Sequence, residues 1–481
     1  MNRSRASICA LAVFLLLGAC ATRPINPPIT TTDPTTGYRY GVRQAHFKDK
    51  ENLVILAFSG GGTRAAAFSY GVLEFLRRTE IAGPRGKARL LDEVDVITGV
   101  SGGSFTALAY GLYGDKLFDD YQQRFLKRNV EGELISRLLN PAYAGALWFS
   151  PSWGRSELAS QLYDEILFNG ATFADLDRGN GPFILASATD ISTGARFVFN
   201  QNTFDVLCSD LDAVPLSRAA AASSAVPVVL SSVTMNNYGG TCGTNLPQWV
   251  KFFIDAANPP RPAERAVREL RELQSYGDGT RRPYVHLVDG GVSDNVGMRS
   301  VLDALQFLES LHDVGAPTPL DSARRIVVFV VNSLSSPPTH WDESEKPPGT
   351  VDILLKATGV PIDHYSYEAV ELLKDTAARW QKLRRLRDSA AFASNKDAAV
   401  TRELRVPDAE IYAIDVSFPA LADKTELDYL NRQPTSFALP AEAVDRLRAA
   451  AGTIIAASPE FQRLLKDLGA RIVEPPKNGG S

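Results

Sequence analysis

The sequence predicts an α/β fold built on a largely parallel sheet, and three features carry that prediction. An unbroken apolar run spans 53–58, as a strand buried on both faces requires, and further strand-like, mostly apolar stretches lie at 94–98, 182–188, 285–288, 326–331 and 411–416. Several of these runs end in a glycine-rich turn. Helical spacing follows the turns, and strands alternating with helices place a site at the C-terminal ends of parallel strands.

The chain has 481 residues, 44% of them apolar and 22% charged, with a formal net charge of −4. That supplies a core for one large domain or two to three ordinary ones. It excludes wholesale disorder and collagen-like repetition. The near-balanced charge gives no reason to expect nucleic acid as a partner. Five histidines and four cysteines cannot build a zinc-finger array or a disulfide-dense mini-scaffold.

At the N-terminus, Arg3 and Arg5 precede an apolar run over 8–17 that ends in Leu17-Gly18-Ala19-Cys20. This predicts a secretory signal peptide over 1–20, since a membrane span needs about 20 apolar residues. Leu-Gly-Ala-Cys resembles the bacterial lipobox, which implies that Cys20 is acylated with palmitate-type chains and becomes the mature N-terminus. The alternative is an ordinary signal peptide with an incidental Cys20. More than one chain makes the anchor stable, at about 0.8 kcal/mol per buried methylene. Ala21 follows where an aspartate would retain the protein, and the same resemblance then points to the outer membrane of a Gram-negative envelope. Residues 21–50, with Pro24, Pro27, Pro28 and Pro34, read as an extended tether. Cys9 leaves with the signal. Cys208 and Cys242 are left in an oxidising compartment, where a disulfide is expected rather than two buried thiols.

The first apolar run breaks at Ser59-Gly60-Gly61-Gly62-Thr63-Arg64 and resumes at helical spacing through Phe68, Val72, Phe75 and Leu76. Consecutive glycines point several N–H groups into one cavity at the positive end of a helix, which suits a phosphate or an oxyanion. Alone, this loop is a plain glycine-rich turn without P-loop or GxGxxG spacing. The second run ends in Gly99-Val100-Ser101-Gly102-Gly103, which satisfies the GxSxG nucleophile elbow with Gly99 and Gly103 as small flanks. The competing reading is a serine that caps the following helix. The run 285–288 leads into Asp289-Gly290-Gly291, a carboxylate at a strand end or else an Asx-turn. Polar insertions occupy 115–180 and 236–282, and the chain beyond 336 turns mostly helical. There Val370, Leu373, Ala377, Trp380 and Leu383 form an apolar stripe. The same segment carries Arg379, Lys382, Arg384, Arg385 and Arg387, read as a solvated basic face, with anionic headgroups as the sharper alternative.

Taken together, nucleophile, carboxylate and glycine cradle lie at strand ends, as an acyl-transfer site needs. The three motifs in this order resemble the patatin-like phospholipases, whose pattern is a glycine-rich loop ending in a basic residue, then GxSxG, then Asp-Gly-Gly or Asp-Gly-Ala. The Ala/Ser-rich stretch 219–228 and the run 428–439 also look like that family, the latter with no assignable role. Ser59 and Ala65 depart from the aspartate and glycine often found there.

The resemblance covers about 51–335. It implies a three-layer α/β/α domain with a mostly parallel central sheet, and a largely helical region 336–481 packing on or extending it. It further implies a carboxylic ester hydrolase acting on lipid or lysophospholipid without cofactor or metal. Ser101 would be the nucleophile, Asp289 the base, and Gly60, Gly61 and Gly62 the oxyanion hole. Arg64, Gly99, Gly103, Gly290 and Gly291 would support them. An aspartate with a reference pKa near 3.9 becomes a useful base only in a pocket that raises that value. One rival is a Ser-His-Asp triad drawing on His312, His340 or His364, with His286 read as a packed core residue. Another is a catalytically silent lipoprotein that binds lipid or a protein partner. Nothing in the sequence identifies a protein partner.

Overall fold

The structure is a computed structural model and describes residues 22–44, 51–83, 86–150, 152–227, 229–243, 263–313, 318–335, 339, 341–392, 397, 400 and 404–473. The signal peptide and Cys20 lie outside the described residues, as does His340.

Eleven strands are described: β1 Asn52–Phe58, β2 Thr79–Gly83, β3 Gly86–Arg89, β4 Val94–Val100, β5 Phe183–Asp190, β6 Ala195–Val198, β7 Val233–Asn236, β8 Tyr284–Asp289, β9 Arg325–Asn332, β10 Glu410–Ser417 and β11 Arg471–Ile472. The helices that matter for the site are α1 Gly62–Arg78, α2 Gly102–Tyr113, α3 Arg155–Tyr163, α4 Leu216–Ser223, α5 Met298–Asp313, α6 Thr350–Arg387 and α7 Ala441–Ala457. The main sheet runs β10-β9-β1-β4-β5-β8-β7, with β6 on β5. β10, β9, β1, β4 and β5 are mutually parallel. β8, β7 and β6 are antiparallel additions.

β1 to β4 steps one way across this sheet and β9 to β10 steps the other. Right-handed crossovers therefore put α1 and α6 on opposite faces. α1 packs with α2 and α7, and α6 with α5. The result is three layers. β9, Ile-Val-Val-Phe-Val-Val between its end residues, is buried along its length, as a central strand covered on both faces must be.

One expectation needs correction. The Pro/Thr-rich segment expected as a free tether is bound to the body over residues 22–44. Tyr38 is fully buried, and its hydroxyl accepts the Ile184 N–H at 2.7 Å. Arg43, 1% exposed, donates to the carbonyls of Leu176, Asp177, Gly179 and Gly181. Composition registers the prolines but not these anchoring side chains. The region beyond 335 extends the domain, since β10 is an edge strand of the main sheet, paired with β9 from Glu410↔Arg325 to Ser417↔Asn332.

The basic face of α6 is largely paired. Arg379 binds Glu309, Arg384 binds Glu410, and Arg387 binds Asp408. Val370, Leu373 and Trp380 are buried, as the apolar stripe predicts. Cys208 and Cys242 form a disulfide, with Cα atoms 5.5 Å apart.

Candidate active site

Register brings Ser101 and Asp289 to one row of the sheet. Val100 pairs with Ser187 on one side of β5, and Asp289 pairs with Ala188 on the other. β4 arrives at this row from below. β8, being antiparallel, descends to it from beyond the ends of the parallel strands. The sequence places the aspartate at a strand end correctly but does not reveal that its strand is reversed.

Ser101 sits between β4 and α2 with φ 47° and ψ −120°. This is a strained conformation for a residue with a side chain, and such strain concentrates where a reactive group must project. Close packing demands the flanking glycines. A Cβ at Gly99 would lie 2.7 Å from the Ser104 Cα, and one at Gly103 would lie 2.6 Å from the Ser59 carbonyl. The Ser101 N–H donates to Ser223 Oγ at 2.9 Å, and that hydroxyl donates to the Ser187 carbonyl at 2.7 Å. α4, from the Ala/Ser-rich stretch, thus holds the elbow. It also leads to the acid, since the Asp289 and Gly290 N–H groups bond to the carbonyls of Ala225 and Ser223 at 3.0 Å each.

Asp289 is 7% exposed and Ser101 4%. The Gly291 N–H donates to the Asp289 carboxyl at 2.7 Å, and the Ser101 side chain is near enough to act on the same carboxyl. Burial pushes that carboxyl up to about 6, against the pull of these two groups. Desolvation wins because no cation is among the groups acting on it. Gly290 is excluded from carrying a side chain by the Ser187 carbonyl, 2.4 Å from where a Cβ would stand.

The glycine loop departs from the three-donor expectation. The Gly60 N–H donates to the Asn295 carbonyl at 2.8 Å, so it is not offered to a ligand. Gly61 (φ 136°) and Gly62 (φ 60°) turn the chain into α1, and their N–H groups stand among the four that a helix start leaves unpaired.

The loop is held from residues remote in sequence. Arg64, 3% exposed, donates to the carbonyls of Ser333 at 2.7 Å and Gln433 at 2.8 Å, and to Thr435 Oγ1 at 3.1 Å. The Ser436 carbonyl accepts the Thr63 N–H at 2.9 Å and would lie 2.4 Å from a Cβ on Gly62. Ser59, in place of aspartate, uses its Oγ to accept the Ser333 N–H at 2.9 Å. Arg64 therefore positions the loop, with its guanidinium turned to protein carbonyls.

The run 428–439, without a role from sequence, is this brace. Phe437 also packs on Phe105 and Tyr163, with ring centroids 5.5 and 6.1 Å away. Ser223, Asn295 and Ser333 were not singled out by the sequence. Ser223 had a signal, because it lies within the Ala/Ser-rich stretch. Among the described residues no histidine bonds to Ser101 or Asp289: His286 meets Thr234, His312 meets Asp321, and His364 is exposed on α6.

The pattern of patatin-like phospholipases matches residues 56–302, just over half of the chain, and spans the glycine loop, Ser101 and Asp289. The chain belongs to the patatin-like phospholipase family. Patatin-like features here therefore include a glycine loop opening on Ser59 and a buried Ala65 beside Arg64. Among solved structures, human GIVD cytosolic phospholipase A2 is similar at 14% identity, over 89% of this chain and 62% of that one, with a TM-score of 0.43. The same human enzyme in complex with methyl gamma-linolenyl fluorophosphonate is similar at 15% identity over the same shares, with a TM-score of 0.37. The chain thus spans less than two thirds of the length of these structures. No curated protein sequence matches it.

Proposed function

We propose that this patatin-like chain is a membrane-anchored lipid acyl hydrolase that cleaves carboxylic esters through Ser101 and Asp289. The observation that carries the reading is the buried juxtaposition of Ser101, strained on its elbow, with Asp289 on the same row of the sheet, the carboxyl being raised to about 6 by burial. At neutral pH it is an ionised base close enough to solution pH to accept a proton. Ser101 Oγ attacks the ester carbonyl as its proton passes to Asp289. The carbonyl oxygen gathers negative charge against the N–H groups of Gly61 and Gly62. Collapse expels the alcohol, which takes the proton from Asp289. Water, deprotonated by Asp289, then attacks the acyl-enzyme, and collapse releases the fatty acid as Ser101 Oγ leaves and takes that proton back from Asp289. One N–H donor to the oxyanion typically supplies about 3 kcal/mol of transition-state stabilisation. Acylation at Cys20, with the outer membrane as its destination, is the companion proposal and supplies the anchor.

Fluorophosphonate labelling and short-chain ester turnover test the chemistry. Ser101→Ala should abolish both. Asp289→Asn, folded by circular dichroism, should lower turnover at least about a thousand-fold. Single substitution of His286, His312, His340 or His364 should leave turnover intact. Retained turnover in Asp289→Asn, or loss in one folded histidine variant alone, would replace the dyad with another base. Metabolic incorporation of palmitate, absent in Cys20→Ser, tests the anchor.

A further inference from the structure

Two facts about the N-terminal strap bear on where a bilayer would meet the body. The chain is fixed as early as Arg23. Its guanidinium donates to the Thr234 carbonyl at 3.1 Å and to Asn236 Oδ1, and lies 5.6 Å from the Tyr284 ring. Asn26, 5% exposed, donates to Ser209 Oγ and the Asn236 carbonyl and accepts the Asn236 N–H. Backbone bonds from Ile29 to Cys208 and from Asp210 to Pro27 continue the attachment. Only two residues separate Cys20 from Arg23, so their Cα atoms are at most about 11 Å apart. That is a leash, not a tether.

The point of attachment lies beyond the strand-C-terminal end of the sheet, the end that carries Ser101 and Asp289. Asn236 pairs with Tyr284, and β8 descends from Tyr284 to Asp289 against the upward β5. Tyr284 therefore stands about 17 Å beyond the Ser101–Asp289 row, at five residues of strand rise. Exposed apolar side chains gather at this end: Ile25 on the strap, Ile191 just past β5, Tyr284 itself, and Val292 just past Asp289-Gly290-Gly291. Helix α6 adds two more. Its C-terminal end meets the start of β10 through Arg384 and Glu410, and Arg299 lies over Tyr365 at the level of the site. The helix continues N-terminally past that level, carrying exposed Ile353 and Val360. Scattered exposed apolar residues are ordinary; these share one end with a leash too short to reach the other.

We infer that the strap presses the strand-C-terminal end of the sheet against the bilayer holding the anchor, so that the mouth of the active site opens onto that lipid surface. This rests on the anchored-hydrolase reading. A lipid ester then reaches Ser101 by rising from the leaflet without crossing water.

The test uses the full lipidated chain in vesicles of three parts phosphatidylcholine to one of phosphatidylglycerol. An environment-sensitive fluorophore is placed on Ile191→Cys, Ile353→Cys or Ile472→Cys, with nitroxide-bearing lipid as quencher. Ile472 pairs with Thr79 at the far end of α1, about 25 Å down that helix from the glycine loop. Quenching of at least two-fold at 191 and 353 but not at 472 supports the orientation. Equal quenching at all three, or none, overturns it. A flexible twenty-residue spacer inserted between residues 21 and 22 provides a second arm. Lengthening the leash should lower turnover of vesicle lipid about five-fold through effective concentration, with soluble ester turnover unchanged. Unchanged vesicle turnover overturns the proposal. Intact mass reports acylation of Cys20, and fluorophosphonate labelling in the same vesicles reports the serine, so failure of the underlying reading is visible separately.

Discussion

Two stretches far apart in sequence build one loop. Residues 59–64 announce themselves through consecutive glycines between a strand and a helix. Residues 433–436 lie in a run to which the sequence assigns no chemistry, yet they receive the Arg64 guanidinium and press a carbonyl onto Gly62. The first stretch supplies the N–H groups and the second holds them in place. A motif therefore identifies the part proposed to meet the substrate, while the part that fixes its geometry can be a segment brought in by the fold. Because a misplaced donor is worth little, loosening the second stretch should lower turnover as well.

Substitutions on both sides test that claim. Gly62→Ala meets the Ser436 carbonyl and needs a positive φ, so it should displace the loop and lower kcat at least about a hundred-fold, measured on a protein of unchanged circular dichroism. Arg64→Lys keeps the charge but cannot reach all three acceptors. It should lower kcat about ten-fold with KM little changed, and lower stability by about 2 kcal/mol for the carbonyls left unpaired, read by denaturant unfolding. Thr435→Val removes one hydrogen bond and keeps the shape. Here the loss should be only about two- to three-fold in kcat, for a contact worth about 1 kcal/mol. If Thr435→Val and Arg64→Lys leave kcat untouched, the C-terminal brace is packing only.

The pH profile separates brace from base. Asp289 must be ionised to accept a proton, so kcat/KM should rise with pH through about 6 and reach a plateau above it. Brace variants should lower the plateau without moving the midpoint. The same shift acts on stability. The folded carboxyl titrates above its ordinary 3.8, so the folded state holds the proton more tightly. The stability this contributes below pH 4 is lost as pH rises through 6, by roughly 3 kcal/mol. Asp289→Asn should accordingly unfold at a higher temperature than the parent at pH 8, with the gap closing near pH 4.

Much of this was legible from sequence. The strand runs 53–58, 94–98, 326–331 and 411–416 lie within β1, β4, β9 and β10, because strands covered on both faces leave an unmistakable apolar signature. Ser101 and Asp289 were visible because an elbow and a strand-end acid both demand adjacent glycines. The direction of β8 was not legible, since a short apolar run reads the same either way up. Nor was the loss of the Gly60 N–H to Asn295, a bond between residues 235 positions apart. The docking of residues 22–44 was hidden for a related reason: its anchors are a tyrosine, an arginine and an asparagine, residues that composition counts as surface.

The outermost strand has a consequence for any shortened form of the chain. β10 covers the open edge of β9 along eight consecutive pairs. A polypeptide cut at residue 335 would expose that edge, a row of unpaired peptide groups on a Val/Ile/Phe strand. Such an edge recruits other strands. Removing the region that no motif explains should therefore yield insoluble protein, not a smaller working one.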